Sequence, residues 1–309
     1  MNNNIVQDII ENMERAVIGK RDCIEALLTC VIAGGHVLLE DVPGVGKTQL
    51  ALSLARSCEG SFNRLQLTPD IMPSDITGYT LIRQNGSSEF VKGAAFCNFL
   101  LADEINRCSP KSQSALLEIM EEGQVSIDGN RYALPMPFMV IATQNPVETY
   151  GTYHLPEAQL DRFLMKLSVG YPGRMEELEI IARGKHNAAA ALTPVATVSD
   201  IESLKELAGL VHVSKSIDEY ILRLAVYTRE DDNIKLGLSP RGSMALRRAV
   251  MAYAIVKGRD YVLPDDVKLL AMAVIPHRII LSSQGRANFE INENYVRDML
   301  EKVFVVCEG

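Results

Sequence analysis

The sequence lacks any run of eighteen apolar residues in its 309, which argues against the membrane-spanning classes. It also lacks the charged and apolar regions of a secretory leader, beginning instead Met1-Asn2-Asn3-Asn4, so a cytoplasmic location is expected. The six cysteines form no C-x-x-C pair, and the five histidines are scattered with no two at ligand spacing. That pattern reads as buried free thiols in a reducing compartment rather than a metal site. Positive charge is not in excess. The net charge is −8, so the chain as a whole is not built to gather nucleic acid. Internal repeats, low-complexity tracts and long linkers are missing too. What the sequence does have is 47% hydrophobic content, over a length that allows a large core and two domains.

One stretch organises the rest: Glu40-Asp41-Val42-Pro43-Gly44-Val45-Gly46-Lys47-Thr48-Gln49. It follows the apolar Val37-Leu38-Leu39 and precedes Leu50, Ala51, Leu54 and Ala55 at helical spacing. Strand, glycine loop, helix is the context of a phosphate-binding loop. Backbone N–H groups and a helix N-terminus can cradle phosphate oxygens. Lys47 can add a point charge and Thr48 a hydroxyl ligand for Mg²⁺. The first glycine of G-x-x-x-x-G-K-T is replaced by Asp41, whose carboxylate must then point away from phosphate. The plain alternative is a glycine turn before a helix.

Val6, Ile9, Ile10 and Met13 mark a first amphipathic helix, and Ile24, Leu27, Leu28 and Val31 a second, ending at Gly34-Gly35. Strands are expected at His36–Glu40, Arg64–Leu67, Asn98–Glu104, Phe138–Thr143 and Leu167–Val169. Thr68 to Gly78 reads as a proline-punctuated loop. Two hairpins are expected, one around Asn85-Gly86 and one around Asp128-Gly129. Ser109-Pro110 starts a helix that Gly123 ends, and Glu157–Leu164 reads as a short helix. From Arg174 onward the apolar stripes are helical. Alternating strands and helices followed by helices alone read as an α/β core with an all-helical lid, divided at 1–172 and 173–309.

Sites in such sheets gather at the carboxyl ends of the strands. There Asp103 can hold Mg²⁺ through water and Glu104 can orient an attacking water. The alternative is a solvated acidic turn. Asn145, before Pro146, can bond a water or the γ-phosphate, or simply form a turn.

Together these segments resemble the AAA+ ATPases, and among them the MoxR family of the helix-2-insert clade. Val42–Thr48 resembles the Walker A segment and Leu100–Arg107 the Walker B segment. Leu67–Asp70, Pro73–Gly78 and Ser112–Glu118 resemble stretches typical of the family. Ala142–Pro146 is similar to sensor 1, Leu155–Phe163 to the arginine-finger segment and Leu238–Arg241 to sensor 2. The resemblance implies a P-loop NTPase core with a parallel five-stranded sheet and a helical lid. It also implies a homo-oligomeric ring, usually hexameric, with ATP and Mg²⁺ between subunits. The implied role is a chaperone-like motor that remodels or matures protein complexes, often with a partner carrying a von Willebrand factor A domain.

On that resemblance, Val17, Ile18 and Gly19 line the adenine pocket. Pro43 to Gln49 with Asp103 bind the nucleotide and metal. Glu104 activates water, Asn145 reports the γ-phosphate, Arg162 enters the neighbouring subunit's site, and Arg241 reaches back from the lid to its own chain's phosphates. Plain alternatives are a surface pair of Arg162 with Asp161 and an ordinary helix-start Arg241. Competing functions are a DNA-associated motor, a metal-chelatase motor subunit and a nucleotide-gated module without turnover. Asp128 beside Arg131, and Glu89 beside Arg83 and Lys92, argue against hairpins that grip DNA.

Overall fold

The computed structural model describes residues 2–145, 152–153, 155–184 and 188–304. Pro146, His154, His186 and Cys307 lie outside them. In chain order, α1 (Asn2–Glu14) and α2 (Arg21–Ile32) lead to β1 (Val37–Glu40), the glycine loop and α3 (Lys47–Ser57). Then come β2 (Phe62–Gln66), α4 (Pro73–Thr77) and the hairpin β3 (Gly78–Ile82) with β4 (Ser88–Lys92). β5 (Phe99–Asp103), α5 (Pro110–Glu122), the hairpin β6 (Gln124–Ile127) with β7 (Asn130–Ala133), β8 (Met139–Gln144), α6 (Glu157–Leu160) and β9 (Met165–Leu167) follow. The remainder holds α7 (Arg174–Arg183), α8 (Val198–Ala208), α9 (Lys215–Glu230), β10 (Ile234–Leu236), α10 (Pro240–Val256), α11 (Pro264–Val274), β11 (Ile280–Leu281), α12 (Ser283–Phe289) and α13 (Asn292–Lys302).

Five strands form one parallel sheet in the order β2-β5-β8-β1-β9. Their side chains alternate between two cores, as a period of two requires. Val37 and Leu39, Phe99 and Leu101, and Met139 and Ile141 face one cluster. Leu38, Leu100, Ala102, Val140 and Ala142 face the other. Both faces are covered, which is why β5 reads as an unbroken apolar run. The first cluster continues through α1 and α2 into the C-terminal helices, taking in Leu204, Tyr220, Leu224, Leu246 and Val250. Sheet and lid therefore share one apolar core.

Local signals set the helix ends. Ser109 accepts from the Ser112 N–H, Pro110 opens α5, and Gly123 closes it in the left-handed region. Ser239 caps α10 in the same way. Three segments differ from expectation. The Thr68–Gly78 stretch contains α4, held by Pro73 in its first turn and by Asp75, whose carboxylate accepts the Met72 N–H. The lid is helical apart from an antiparallel β10–β11 ribbon. The helix from Glu157 stops at Leu160, and β9 begins at Met165. The two hairpins lie side by side, with Phe90 stacked on Tyr132 at 3.9 Å between ring centres.

Candidate active site

The glycine loop joins β1 to α3 at the carboxyl end of the sheet. Gly44 and Gly46 have φ of 90° and 93°, and a Cβ at either would meet no atom within 4 Å. The space over the loop is therefore open. Gly46 offers α3 no side-chain cap, so the first N–H groups of that helix have no such acceptor and can take an anion. The Lys47 ammonium folds back on the loop, donating to the carbonyls of Asp41 at 2.8 Å and Val42 at 3.3 Å. Thr48 is half-buried beside it. Pro43 is exposed, and Val45 packs on the main core. The Gln49 side chain turns elsewhere and accepts the Ala189 N–H.

Asp41 does point away from the loop interior. Its carboxylate accepts from the Ser168 hydroxyl at 2.9 Å and the N–H groups of Val169 and Gly170. It thus ties the chain leaving β9 to the chain leaving β1. A glycine at this position would leave those donors without an acceptor.

Asp103 ends β5 and Glu104 follows it, two strands from the loop across β8. The Thr143 hydroxyl donates to Asp103 Oδ1 at 2.7 Å and accepts the Glu104 N–H at 2.9 Å. Arg64 donates to Asp103 Oδ2 from Nε and Nη2, at 3.1 and 2.7 Å. Glu104 has φ of 59°, a left-handed conformation that costs a non-glycine residue on the order of 1–2 kcal/mol. The bend turns its side chain out of the strand. Its Oε2 accepts from Gln66 Nε2 at 2.7 Å and pairs with Arg107 at 3.1 Å. Asn145 is buried one residue past β8, between β5 and β1 in the sheet order. The acids, Asn145 and the glycine loop thus share the same sheet end.

Val17, Ile18 and Gly19 lie between α1 and α2. Val17 is buried in the main core. Gly19 has φ of 68°, and a Cβ there would sit 2.4 Å from Glu176 Cγ of α7. Lys20 donates to the Tyr171 carbonyl at 2.7 Å. The start of α7 therefore covers this stretch.

The two arginines lie at the other end of the sheet. Arg162 precedes β9, which runs parallel to β1, and the Leu164 N–H donates to the His36 carbonyl just before β1. Arg162 Nη2 lies 3.1 Å from one oxygen of Glu121, and Arg241 Nη2 lies 2.9 Å from the other. Both line a cleft with Gly34, Gly35 and His36. The four residues of β1 separate that cleft from the loop by about 13 Å at 3.3 Å per residue. Arg241, expected at its own chain's phosphates, is seated by α10 beside Arg162, at the amino end of the sheet. Asp161 pairs with Arg278, not with its neighbour Arg162.

Gln66, Arg64, Thr143, Arg107, Glu121 and Arg278 were not anticipated. Arg64 and Gln66 carried a signal, because polar residues two apart on a strand share a face. Glu121 and Arg278 carried none, since their partners are distant in sequence.

Comparison with known proteins agrees with this geometry. Residues 36–165 match the ATPase family associated with various cellular activities (AAA), and residues 226–299 match the AAA lid domain. The chain is 41% identical to Chaperone MoxR1 of Mycobacterium tuberculosis, over 95% of this chain and 80% of that protein. It belongs to the MoxR family of AAA+ ATPases. The chain is also 47% identical to the uncharacterized protein YeaC of Bacillus subtilis, over 96% of this chain and 93% of that protein. A crystal structure of a candidate ATPase from Cytophaga hutchinsonii superposes on this MoxR-family fold with a TM-score of 0.89 at 38% identity, covering 99% and 96% of the two chains. No helix among the described residues is long and apolar enough to cross a membrane.

Proposed function

We propose that the chain hydrolyses ATP to ADP and phosphate in a site completed by a neighbouring copy, and uses that turnover to remodel a protein client. The observation that carries this is the division of the site. The glycine loop, Asp103, Glu104 and Asn145 share the carboxyl end of the sheet, while Arg162 and Arg241 stand together at the amino end. Arginines that cannot serve their own loop can serve the next subunit's. Such a contact is heterologous, so it closes into a ring or runs on as a filament, and the family resemblance favours the ring. A hexamer is the size the family resemblance favours.

The residues present suit the groups expected. The open Gly44–Gly46 cradle and uncapped α3 start suit phosphates. The Thr48 hydroxyl and Asp103 carboxylate are the oxygen donors that Mg²⁺ takes. When bound, Mg²⁺ neutralises charge on the β and γ phosphates. Lys47 exchanges its two loop carbonyls for phosphate oxygens. Glu104, released from Gln66, orients and polarises the attacking water, and Asn145 bonds that water or the γ-phosphate. Arg162 and Arg241 of the neighbour stabilise the spreading negative charge. Val17, Ile18 and Gly19, beneath the start of α7, border the base.

The chaperone role rests on kinship with the mycobacterial protein. A partner with a von Willebrand factor A domain and a cytoplasmic location belong to the same proposal, as does the division into core and lid at 172/173. The test is turnover of Glu104→Gln, of Arg162→Ala, and of the two co-expressed under separate tags and purified through both. Each alone should be nearly inactive, and the mixed assembly should recover. Active wild type with no recovery in the mixture would sink the shared site.

A further inference from the structure

Arg278 has no part in the site as assigned above. It ends the short turn Pro276–Arg278 after α11, and its side chain is only 3% exposed. Burying a charge is costly unless its partners compensate, so those partners show what the residue is for. Nε donates to Asp161 Oδ1 at 2.7 Å. Nη2 donates to the Phe163 carbonyl at 2.6 Å and the Asp161 carbonyl at 3.2 Å. Nη1 donates to the Leu164 carbonyl at 3.0 Å, and on its own side to the Val274 carbonyl. The neighbouring His277 Nε2 lies 2.9 Å from the Phe163 oxygen.

The carbonyls gripped belong to residues 161, 163 and 164. Arg162 is the residue between them, and its side chain points out to Glu121. Once α6 ends at Leu160, these carbonyls have no ladder to join and need donors. A guanidinium brings five N–H groups in one rigid fork, which an ammonium cannot imitate. Phe163 and Leu164 are buried in the two cores on either side. The turn is therefore fixed from three directions, and one of them is the lid.

We propose that Arg278 is the positioning residue for Arg162: a lid arginine that holds the 161–164 turn, so that the place of the lid against the sheet sets where the finger stands in the neighbour's site. This rests on Arg162 acting in the neighbouring subunit. A finger displaced by about 1 Å can lose on the order of 10²-fold in rate, so a loosened turn is enough to silence it. Lid movement in one subunit then becomes a change of turnover in the next.

The test uses Arg278→Lys, with Asp161→Asn as a second variant in case the first does not fold. Asp161→Asn keeps the buried arginine but removes the charge it grips. Binding of a fluorescent ADP analogue and turnover are measured for each alone, and for each co-expressed with Glu104→Gln as differently tagged chains. The Arg162→Ala and Glu104→Gln pair runs in parallel. Nucleotide binding should match wild type, turnover should fall at least about tenfold, and the mixed assembly should recover. Arg162→Ala/Arg278→Lys should be no slower than Arg162→Ala alone. A purely structural residue would not be complemented by a partner whose only intact contribution is its finger. Recovery with Arg162→Ala but not with Arg278→Lys or Asp161→Asn overturns this proposal and leaves the finger standing. So does full turnover in either variant. No recovery with Arg162→Ala overturns the shared site itself.

Discussion

Arg162 and Arg241, from opposite sides of the lid joint, hold the two oxygens of a single carboxylate, that of Glu121. Arg241 and Glu121 are both well exposed, and such a pair is worth under about 1 kcal/mol. A triphosphate, with more charge and more acceptor oxygens, can take both arginines from it. Arg241→Ala should therefore bind nucleotide normally and lose turnover by about 10²-fold. It should regain turnover when co-assembled with Glu104→Gln. If Arg162→Ala is rescued in that mixture and Arg241→Ala is not, Arg241 works within its own chain.

Arg64 makes a different kind of competition. Its guanidinium takes Oδ2 of Asp103, the carboxylate best placed to support a metal. The arginine side chain is half-exposed, so solvent screens the pair and its worth stays near 1 kcal/mol or below. Arg64→Ala should lower the Mg²⁺ concentration for half-maximal turnover, by no more than about fivefold. A rise in that concentration would show instead that Arg64 orients Asp103 for the metal.

The parts of this site that could be read from the chain are those made by neighbours in sequence. The glycine loop, the acids ending β5 and Asn145 ending β8 each announce themselves within ten residues. Parallel strands then deliver them to one sheet end. Arg241 is legible as a residue, but its seat beside Arg162 is not, because α10 is placed by packing against α2, α8, α9 and α11. The end of α6 at Leu160 is likewise set by partners distant in sequence. Its continuation satisfied helix periodicity, but Arg278 supplies the carbonyls with better donors and β9 must pair with β1. Asp41 was legible only as a departure from pattern. Its use, tying residues 168–170 to the loop, lies across the sheet.

That use makes Asp41→Gly informative, since it restores the commoner phosphate-loop residue. Three donors would lose their acceptor, but only Val169 is a buried residue, while Ser168 is exposed and can turn to water. A buried group left unmade costs about 1–3 kcal/mol. Stability in urea should fall by about 1–3 kcal/mol, while the affinity for ADP changes little. A variant as stable as the wild type would mean that residues 168–170 find other acceptors.

The last expectation concerns acid. His36 is buried where α5 meets the sheet, with Nδ1 accepting the Val140 N–H at 3.0 Å and Nε2 2.9 Å from the Met120 carbonyl. Only the neutral Nε2–H tautomer satisfies both bonds, because a second ring proton would face the Val140 N–H. Burial lowers its pKa to about 4, with the Met120 carbonyl opposing and Arg248 assisting. An unfolded histidine titrates near 6.5. Between those values the unfolded chain binds the extra proton, so stability rises with pH. The contribution is intact above about pH 6.5, declines as the pH falls, and is fully lost near pH 4. Its size is on the order of 3 kcal/mol, at 1.36 kcal/mol per unit. His277 is pushed the same way by burial and by Arg278. His36→Gln can keep both hydrogen bonds without a titrating group. Its urea midpoint should fall less steeply between pH 6.5 and 4 than that of the wild type. Parallel slopes would mean that His36 takes up its proton as readily in the native state as in the unfolded chain, and that the Val140 N–H has another acceptor.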